Sequence, residues 1–354
     1  MQQESAIRNG MAAATGTLAS LASLASIESF KDKAGMKGPR SALQRWPFAS
    51  GNLSNRTKML IGLFTVLLTL YCTNRAASMM GWDDQYSELP SLIPSRHRYT
   101  VLINTWKRYD LLKMTVTHYS SCKNVDAVNV VWSEPQPPTK ELHSKLNEVT
   151  GRNQVKFRFN INTVDELNNR FKPIPSLETD AVFSVDDDLV IPCPTMDLAF
   201  STWISAPRSM VGFVPRMHWP KTTKHGREQY TYGGWWSVWW TGKYSMILTK
   251  ASFLHKDYLE LYTTRMPSSI LTYVKQERNC EDIAMSFLVA NYTSAPPIWV
   301  KGDVHEIGST GISNLAGHSK RRTACVNYFV DVFGRMPLVS SHVKATDASH
   351  TWFW

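Results

Sequence analysis

Three consecutive carboxylates, Asp186, Asp187 and Asp188, end the apolar run Ala181-Val182-Phe183-Ser184-Val185. Like charges packed this closely repel one another unless a cation neutralises them. A divalent ion held by carboxylate oxygens, waters and phosphates is the natural partner, and Mn2+ or Mg2+ suits such ligands. One carboxylate can then face the metal while another meets ribose or sugar hydroxyls, and the metal would neutralise a departing diphosphate. The bland alternative is a solvated acidic turn, and the preceding apolar strand argues against it. A second acidic pair, Glu281-Asp282, opens an apolar segment; by itself it reads as two acids favoured by a helix macrodipole. The run Gly233-Gly234-Trp235-Trp236-Ser237-Val238-Trp239-Trp240 is the third candidate. Tryptophans stack on sugar rings and settle at membrane interfaces, or simply fill a core.

These groups need elements to hold them. Tyr99–Asn104 reads as a buried strand, followed by an amphipathic helix from about Tyr109 to Ser120 with Leu111, Leu112, Thr115 and Tyr119 at helical spacing. The pattern continues as strand Ala127–Trp132, helix Thr139–Val149, strand Gln154–Phe159, a helix start near Asp165 and strand Asp180–Asp186. Alternation of this kind predicts a mostly parallel sheet with helices on both faces, binding ligands at the carboxyl ends of its strands. Asn104 to Arg108, Ser133-Glu134 and the three aspartates all fall at such ends. Beyond residue 195 the pattern is more mixed. Strands are expected near Val211–Arg216 and Tyr244–Thr249, and helices near Phe253–Tyr262 and Glu281–Asn291.

The uncharged stretch Met59–Cys72 is a short candidate membrane span. Residues 1–58, expected to be disordered, carry eight Lys or Arg against three acidic residues. The positive-inside rule then leaves the N-terminus in the cytosol and the bulk of the chain in the lumen. A cleaved signal peptide fits poorly because the run lies too far in, and Glu4, Glu28 and Asp32 break the pattern of a transit peptide; a buried core helix is the remaining alternative. The layout is a tail (1–58), an anchor (59–74), a polar stem (75–97) and a luminal domain (98–354). Cys122, Cys193, Cys280 and Cys325 then allow up to two bridges of undetermined pairing. Asn291-Tyr292-Thr293 is a luminal glycan acceptor, whereas the sequons at Asn52 and Asn55 would be cytosolic and unused. The formal net charge of +10 suits polyanionic partners. Luminal topology excludes nucleic acid among them and leaves the membrane and phosphorylated small molecules.

In nine ordered blocks the chain resembles the exostosin-like glycosyltransferases, family 64. The blocks are INTWKR (103–108), VVW (130–132), NNRF (168–171), ETDAVFSVDDD (178–188), VGFVPR (211–216), YTYGG (230–234), YSMILTKASF (244–253), RNCEDIAMSFLVA (278–290) and RRTACVNYFVDVFGRMPL (321–338). The resemblance implies a GT-A fold, Rossmann-like with a mostly parallel sheet and helices on both faces, in a single catalytic domain behind an N-terminal transmembrane anchor. It also implies retention of anomeric configuration and Mn2+, with Mg2+ as the alternative cofactor.

Residue by residue, it implies that Asp186, Asp187 and Asp188 meet metal and donor, with Asp188 the first direct ligand and Asp186 the second. Thr105 and Arg108 would hold the nucleotide, with Asn169 and Arg170 beside the donor. Asp282, Glu281 and Arg322 would lie on the catalytic side, and Tyr232, Asn279, Trp239 and Trp240 at the acceptor. Cys280 and Cys325 would be bridged. Where the family often has Asn, this chain has Asp165. Double displacement by Asp282 and front-face substitution are both compatible with these residues.

The single-domain length is nearest the plant members. The resemblance to those members implies a Golgi type II enzyme moving mannose from GDP-mannose to an inositol phosphorylceramide glycan, with a homodimer as the assembly considered. The rivals are a UDP-N-acetylhexosamine transferase and a catalytically silent sugar-binding protein of the Golgi.

Overall fold

The computed structural model describes residues 54–79, 97–175, 177–222, 228–308 and 317–348. The chain divides into two compact units, Met1–Trp82 and Asp83–Trp354. In the first, helix α1 (Asn55–Met79) carries the apolar run. Its stretch Asn55–Thr73 is long and apolar enough to cross a membrane, and none of it is buried. Thr65, Thr69 and Thr73 turn their hydroxyls back onto carbonyls three or four residues earlier, at 2.7–3.0 Å, which satisfies them without water. The helix begins four residues before the apolar run and continues five residues into the expected stem. The tail through residue 53 and the rest of the stem through residue 96 lie outside the described residues.

In the second unit the first half follows the expected rhythm. It runs β1 (Tyr99–Thr105), α2 (Tyr109–Ser120), β2 (Val125–Trp132), α3 (Lys140–Arg152), β3 (Lys156–Ile161) and β4 (Ala181–Asp186). The helix expected near Asp165 is a short 3-10 turn, Leu167–Phe171. Then come β5 (Leu189–Val190), α4 (Cys193–Ser205), β6 (Val211–Gly212), β7 (Pro215–Thr222), β8 (Glu228–Gly233), α5 (Trp235–Thr241), β9 (Met246–Ile247) and β10 (Ala251–His255). The remainder is α6 (Asp257–Arg265), α7 (Ser268–Glu277), α8 (Glu281–Thr293), β11 (Ile298–Val300), β12 (His305–Glu306), α9 (His318–Phe333) and β13 (Lys344–Ala345). The helix expected over Phe253–Tyr262 is corrected: Phe253 and Leu254 belong to β10, and the helix starts at Asp257. Both residues are fully buried, and a strand covered on both faces has no period to distinguish it from a buried helix.

The main sheet has the order β13-β11-β6-β10-β4-β1-β2-β3. Every pairing is parallel except those of β10, which runs antiparallel between β4 and β6. In β1 the pleat sends Tyr99, Val101 and Ile103 into one apolar cluster and Leu102 into the other. Both faces are therefore covered, and the strand reads as an unbroken apolar run. The register Asn104↔Asp186 brings the ends of β1 and β4 level.

Two bridges form, Cys122–Cys193 and Cys280–Cys325, closing 71 and 45 residues; Cys72 is free and exposed. Replacing Cys280 and Cys325 together by alanine should cost about 4 kcal/mol in the chain-entropy picture. Denaturant melts of the non-reduced protein would show it, and an unchanged midpoint would mean the bridge adds nothing.

Candidate active site

The ends of β1 and β4 and the starts of α8 and α9 surround one cavity of about 710 Å³. The three aspartates divide between cavity and core, because β4 ends at Asp186 and the chain turns through Asp187 and Asp188 into β5. Asp186 and Asp188 line the cavity. Asp187 is fully buried behind them: its Oδ2 accepts from the Thr105 hydroxyl at 2.6 Å and its Oδ1 pairs with Arg108. Burial pushes the Asp187 carboxyl up to about 6, against the Thr105 hydrogen bond and the Arg108 charge. Arg108 also donates to Asp188 Oδ2 at 2.7 Å. It occupies the N-cap position of α2 with no side-chain cap bond of its own, so its guanidinium goes to the carboxylates. The preceding Lys107 has a left-handed backbone, φ 54°. Buried Glu134 steadies that turn, accepting from the Lys107 amide at 2.8 Å and the Tyr109 hydroxyl at 2.6 Å. Close packing finishes the corner, because a Cβ on Gly308 would lie 2.8 Å from Asp188 Cβ.

Arg170 is buried and forks between two acids, pairing with Asp186 through Nη2 and standing 3.7 Å from Glu281 through Nη1. Burial raises the Asp186 carboxyl, with Arg170 opposing. Across the cavity, buried Arg322 donates to Asp282 Oδ2 at 2.8 Å and to the Tyr232 hydroxyl at 3.2 Å. Burial works against that guanidinium's charge, and Asp282 and Tyr232 raise its pKa nonetheless. The other oxygen of Asp282 accepts from the Ile283 amide at 2.7 Å.

The expected site residues do not all meet at the cavity. Thr105, Arg108, Arg170, Asp186, Asp188, Tyr232, Asn279, Glu281, Asp282 and Arg322 all line the cavity. Asn169 is buried outside that lining and donates to Ser133 Oγ at 2.9 Å. Trp239 and Trp240 lie on α5, outside it, 60% and 82% exposed. Of that helix only Val238 is buried, so the core reading of the Trp239–Trp240 pair does not hold. Asn291, in the last turn of α8, is half-buried and accepts from Arg335 at 2.7 Å. Residues the sequence reading passed over also reach the cavity, among them Lys250, Glu306, Arg278 and His318. Lys250 and Arg278 lay inside the recognised blocks, but nothing in their spacing marked them.

The donor set suits a hard divalent cation. Asp186 and Asp188 each keep one carboxylate oxygen without a hydrogen bond among the described residues. Seven carboxylates face six Lys or Arg side chains around the cavity. A diphosphate would add to this excess of negative charge, and a cation would offset it. The other grouping of metal-type residues, His118 with Cys122 and Cys193, is closed to a metal because its thiols form a disulfide.

Glu281 has its own pH signature. Burial and neighbouring Asp282 raise its pKa, against Arg170 and Arg322. Between its ordinary and its raised value the folded protein holds a proton that the unfolded chain has released, so ionisation erodes stability as pH rises. Glu281→Gln cannot ionise. Its Tm relative to the parent should therefore climb from pH 5 to pH 8 by a few degrees in thermal melts; a constant difference would mean that Glu281 does not titrate there.

Comparison with known proteins gives this arrangement a family. The glycosyl transferase family 64 domain matches residues 99–351. The chain is 54% identical over 295 residues to glycosylinositol phosphorylceramide mannosyl transferase 1 of Arabidopsis thaliana, covering 82% of this chain and 87% of that protein. Human exostosin-like 2 is 34% identical over 259 residues, covering 69% and 76%. Glucosamine inositolphosphorylceramide transferase 1 of Oryza sativa subsp. japonica is 30% identical over 249 residues, 68% of this chain and 31% of that one. On these matches the chain belongs to glycosyl transferase family 64 and is a glycosyltransferase.

Proposed function

We propose that this glycosyltransferase moves mannose from GDP-mannose to a glycosylinositol phosphorylceramide headgroup, with retention of anomeric configuration, on a GT-A scaffold. What carries the reading is the cavity between the Asp186–Asp188 face and the Asp282–Arg322 pair, in a chain 54% identical to a protein named as a glycosylinositol phosphorylceramide mannosyl transferase. Asp188, with Asp186 beside it, would hold Mn2+ or Mg2+, and a cation there neutralises charge on a diphosphate. Arg108 and Thr105 fix these carboxylates through Asp187, and Arg170 fixes Asp186 from the other side. Arg322, charged and dehydrated, is a preorganised donor for the departing diphosphate. Asp282 supplies negative charge where an oxocarbenium ion develops. Both of its oxygens are engaged, which makes it a better electrostatic partner than nucleophile and favours front-face substitution.

The acceptor would enter past Tyr232 and Asn279, with Trp239 and Trp240 meeting the lipid-bearing side. Helix α1 would anchor the chain in the Golgi membrane as a type II protein with the catalytic unit luminal, where Asn291 would carry a glycan. A UDP-N-acetylhexosamine donor is the second reading, and the rice relative named for a glucosamine transfer favours it. The test is product formation by the full chain from each nucleotide sugar on a glycosylinositol phosphorylceramide precursor, with the new linkage read by NMR. Mannose in the α configuration supports the proposal; a β linkage, or transfer only from the UDP-sugar, overturns it. Trp239→Ala with Trp240→Ala should weaken transfer to that acceptor about 10-fold, as for lost aromatic contacts, and leave donor hydrolysis in place. Loss of both activities together with a fallen Tm would assign the pair a structural role.

A further inference from the structure

The order β4-β1-β2-β3 gives the cavity a direction. The carboxylates stand at the end of β4, Thr105 and Arg108 at β1, and Ser133 at β2. Asp165 comes four residues after the end of β3. Three strand spacings of about 4.8 Å separate β4 from β3, a distance that ribose and diphosphate bridge when a nucleotide lies across strand ends. The base then falls at the β3 side of the cavity, where Asp165 stands.

Two charged groups line the cavity there and serve no other part of the proposed chemistry. Arg278 Nη2 donates to Asp165 Oδ2 at 2.8 Å, and Oδ1 has no hydrogen bond among the described residues. The Asp165 side chain is 29% exposed, so it is neither sealed away nor fully solvated. Its loop is braced against α7, through Lys275 to Glu166 at 3.4 Å and Asn168 to the Leu271 carbonyl at 3.0 Å. Arg278 holds a left-handed backbone, φ 46°, two residues before the bridged Cys280, itself at φ 72°. Non-glycine residues in that region cost energy and gather at ligand sites.

A carboxylate beside an arginine complements one nucleobase better than the rest. Guanine presents the N1–H and N2–H2 donors on one edge, next to its O6 acceptor. Uracil flanks its single N3–H with two carbonyl oxygens, which a carboxylate repels. We propose that Asp165 reads the N1–H and N2–H2 donors of the donor's guanine, with Arg278 at O6, making the pair a specificity determinant. This rests on the donor being a guanosine nucleotide.

The experiment titrates the full chain, in detergent with Mn2+, against GDP, inosine diphosphate (which lacks the 2-amino group) and UDP. The parent should bind GDP at least ~10-fold more tightly than either other nucleotide, the scale of a hydrogen bond to a charged group. Asp165→Ala should weaken GDP at least ~10-fold, leave UDP within about threefold, and bring the ratio of GDP to inosine diphosphate affinity close to one. Asp165→Asn, which keeps the shape, should also lower that ratio. Unchanged UDP binding shows the fold and the phosphate end intact. A ratio retained in both variants overturns the assignment while the guanosine donor stands; a parent that prefers UDP overturns the donor reading and the assignment with it.

Discussion

Asp188→Asn should lower transfer about 10²–10³-fold, the range seen when one electrostatic contact to a developing charge is removed. The substitution keeps the shape of the side chain and removes its charge. Asp188 is mostly buried, faces the cavity, and receives Arg108 on one oxygen while the other has no hydrogen bond among the described residues. Arg108 retains Asp187 as a partner, so the fold should hold and Tm should move little. The loss should therefore appear as a higher Mn2+ concentration for half-maximal rate, together with a lower plateau. Near-normal turnover with unchanged Mn2+ dependence would remove Asp188 from the metal site.

Asp282→Ala is expected to be comparably severe for a different reason. Its carboxylate lines the same cavity as Asp186 and Asp188 and is paired with Arg322. Donor affinity should stay within about threefold, while single-turnover transfer falls about 10²–10³-fold, because the interaction is made in the transition state. The alanine variant also strands Arg322, 7% exposed, without its counter-charge, and breaking a buried pair costs about 3–5 kcal/mol. Asp282→Asn separates the two effects, since it keeps a hydrogen-bond acceptor beside Arg322. If the asparagine variant is stable, binds donor and turns over at the parental rate, Asp282 is structural only.

The strand ends were legible because the physics behind them is local. β1 and β4 are buried on both faces and read as apolar runs, and Asp186 to Asp188 follow at once. The separation of Asp187 from Asp186 and Asp188 arises in the turn after β4, which the strand pattern does not encode. What could not be read was which distant groups meet. Arg170 lies 111 residues from Glu281, and Asp282 lies 40 from Arg322; no periodicity encodes either pairing. The bridge of Cys122 to Cys193 was open for the same reason. β10 was misread because antiparallel insertion between β4 and β6 buries Phe253 and Leu254 on opposite faces. The tryptophan run, given no element from its pattern, is a seven-residue helix. Its end depends on Gly242, left-handed at φ 67°, and β-sheet signals on either side obscured so short an element.

Consumption of GDP-mannose by the purified full chain, measured with Mn2+ and again after EDTA, is the decisive assay of a metal-dependent mannosyl transfer. GDP-mannose should be turned over with Mn2+, EDTA should abolish the turnover and added Mn2+ restore it, and UDP-N-acetylglucosamine should be left intact. Turnover of the UDP-sugar in preference to GDP-mannose, or GDP-mannose turnover indifferent to EDTA, would contradict metal-dependent mannosyl transfer.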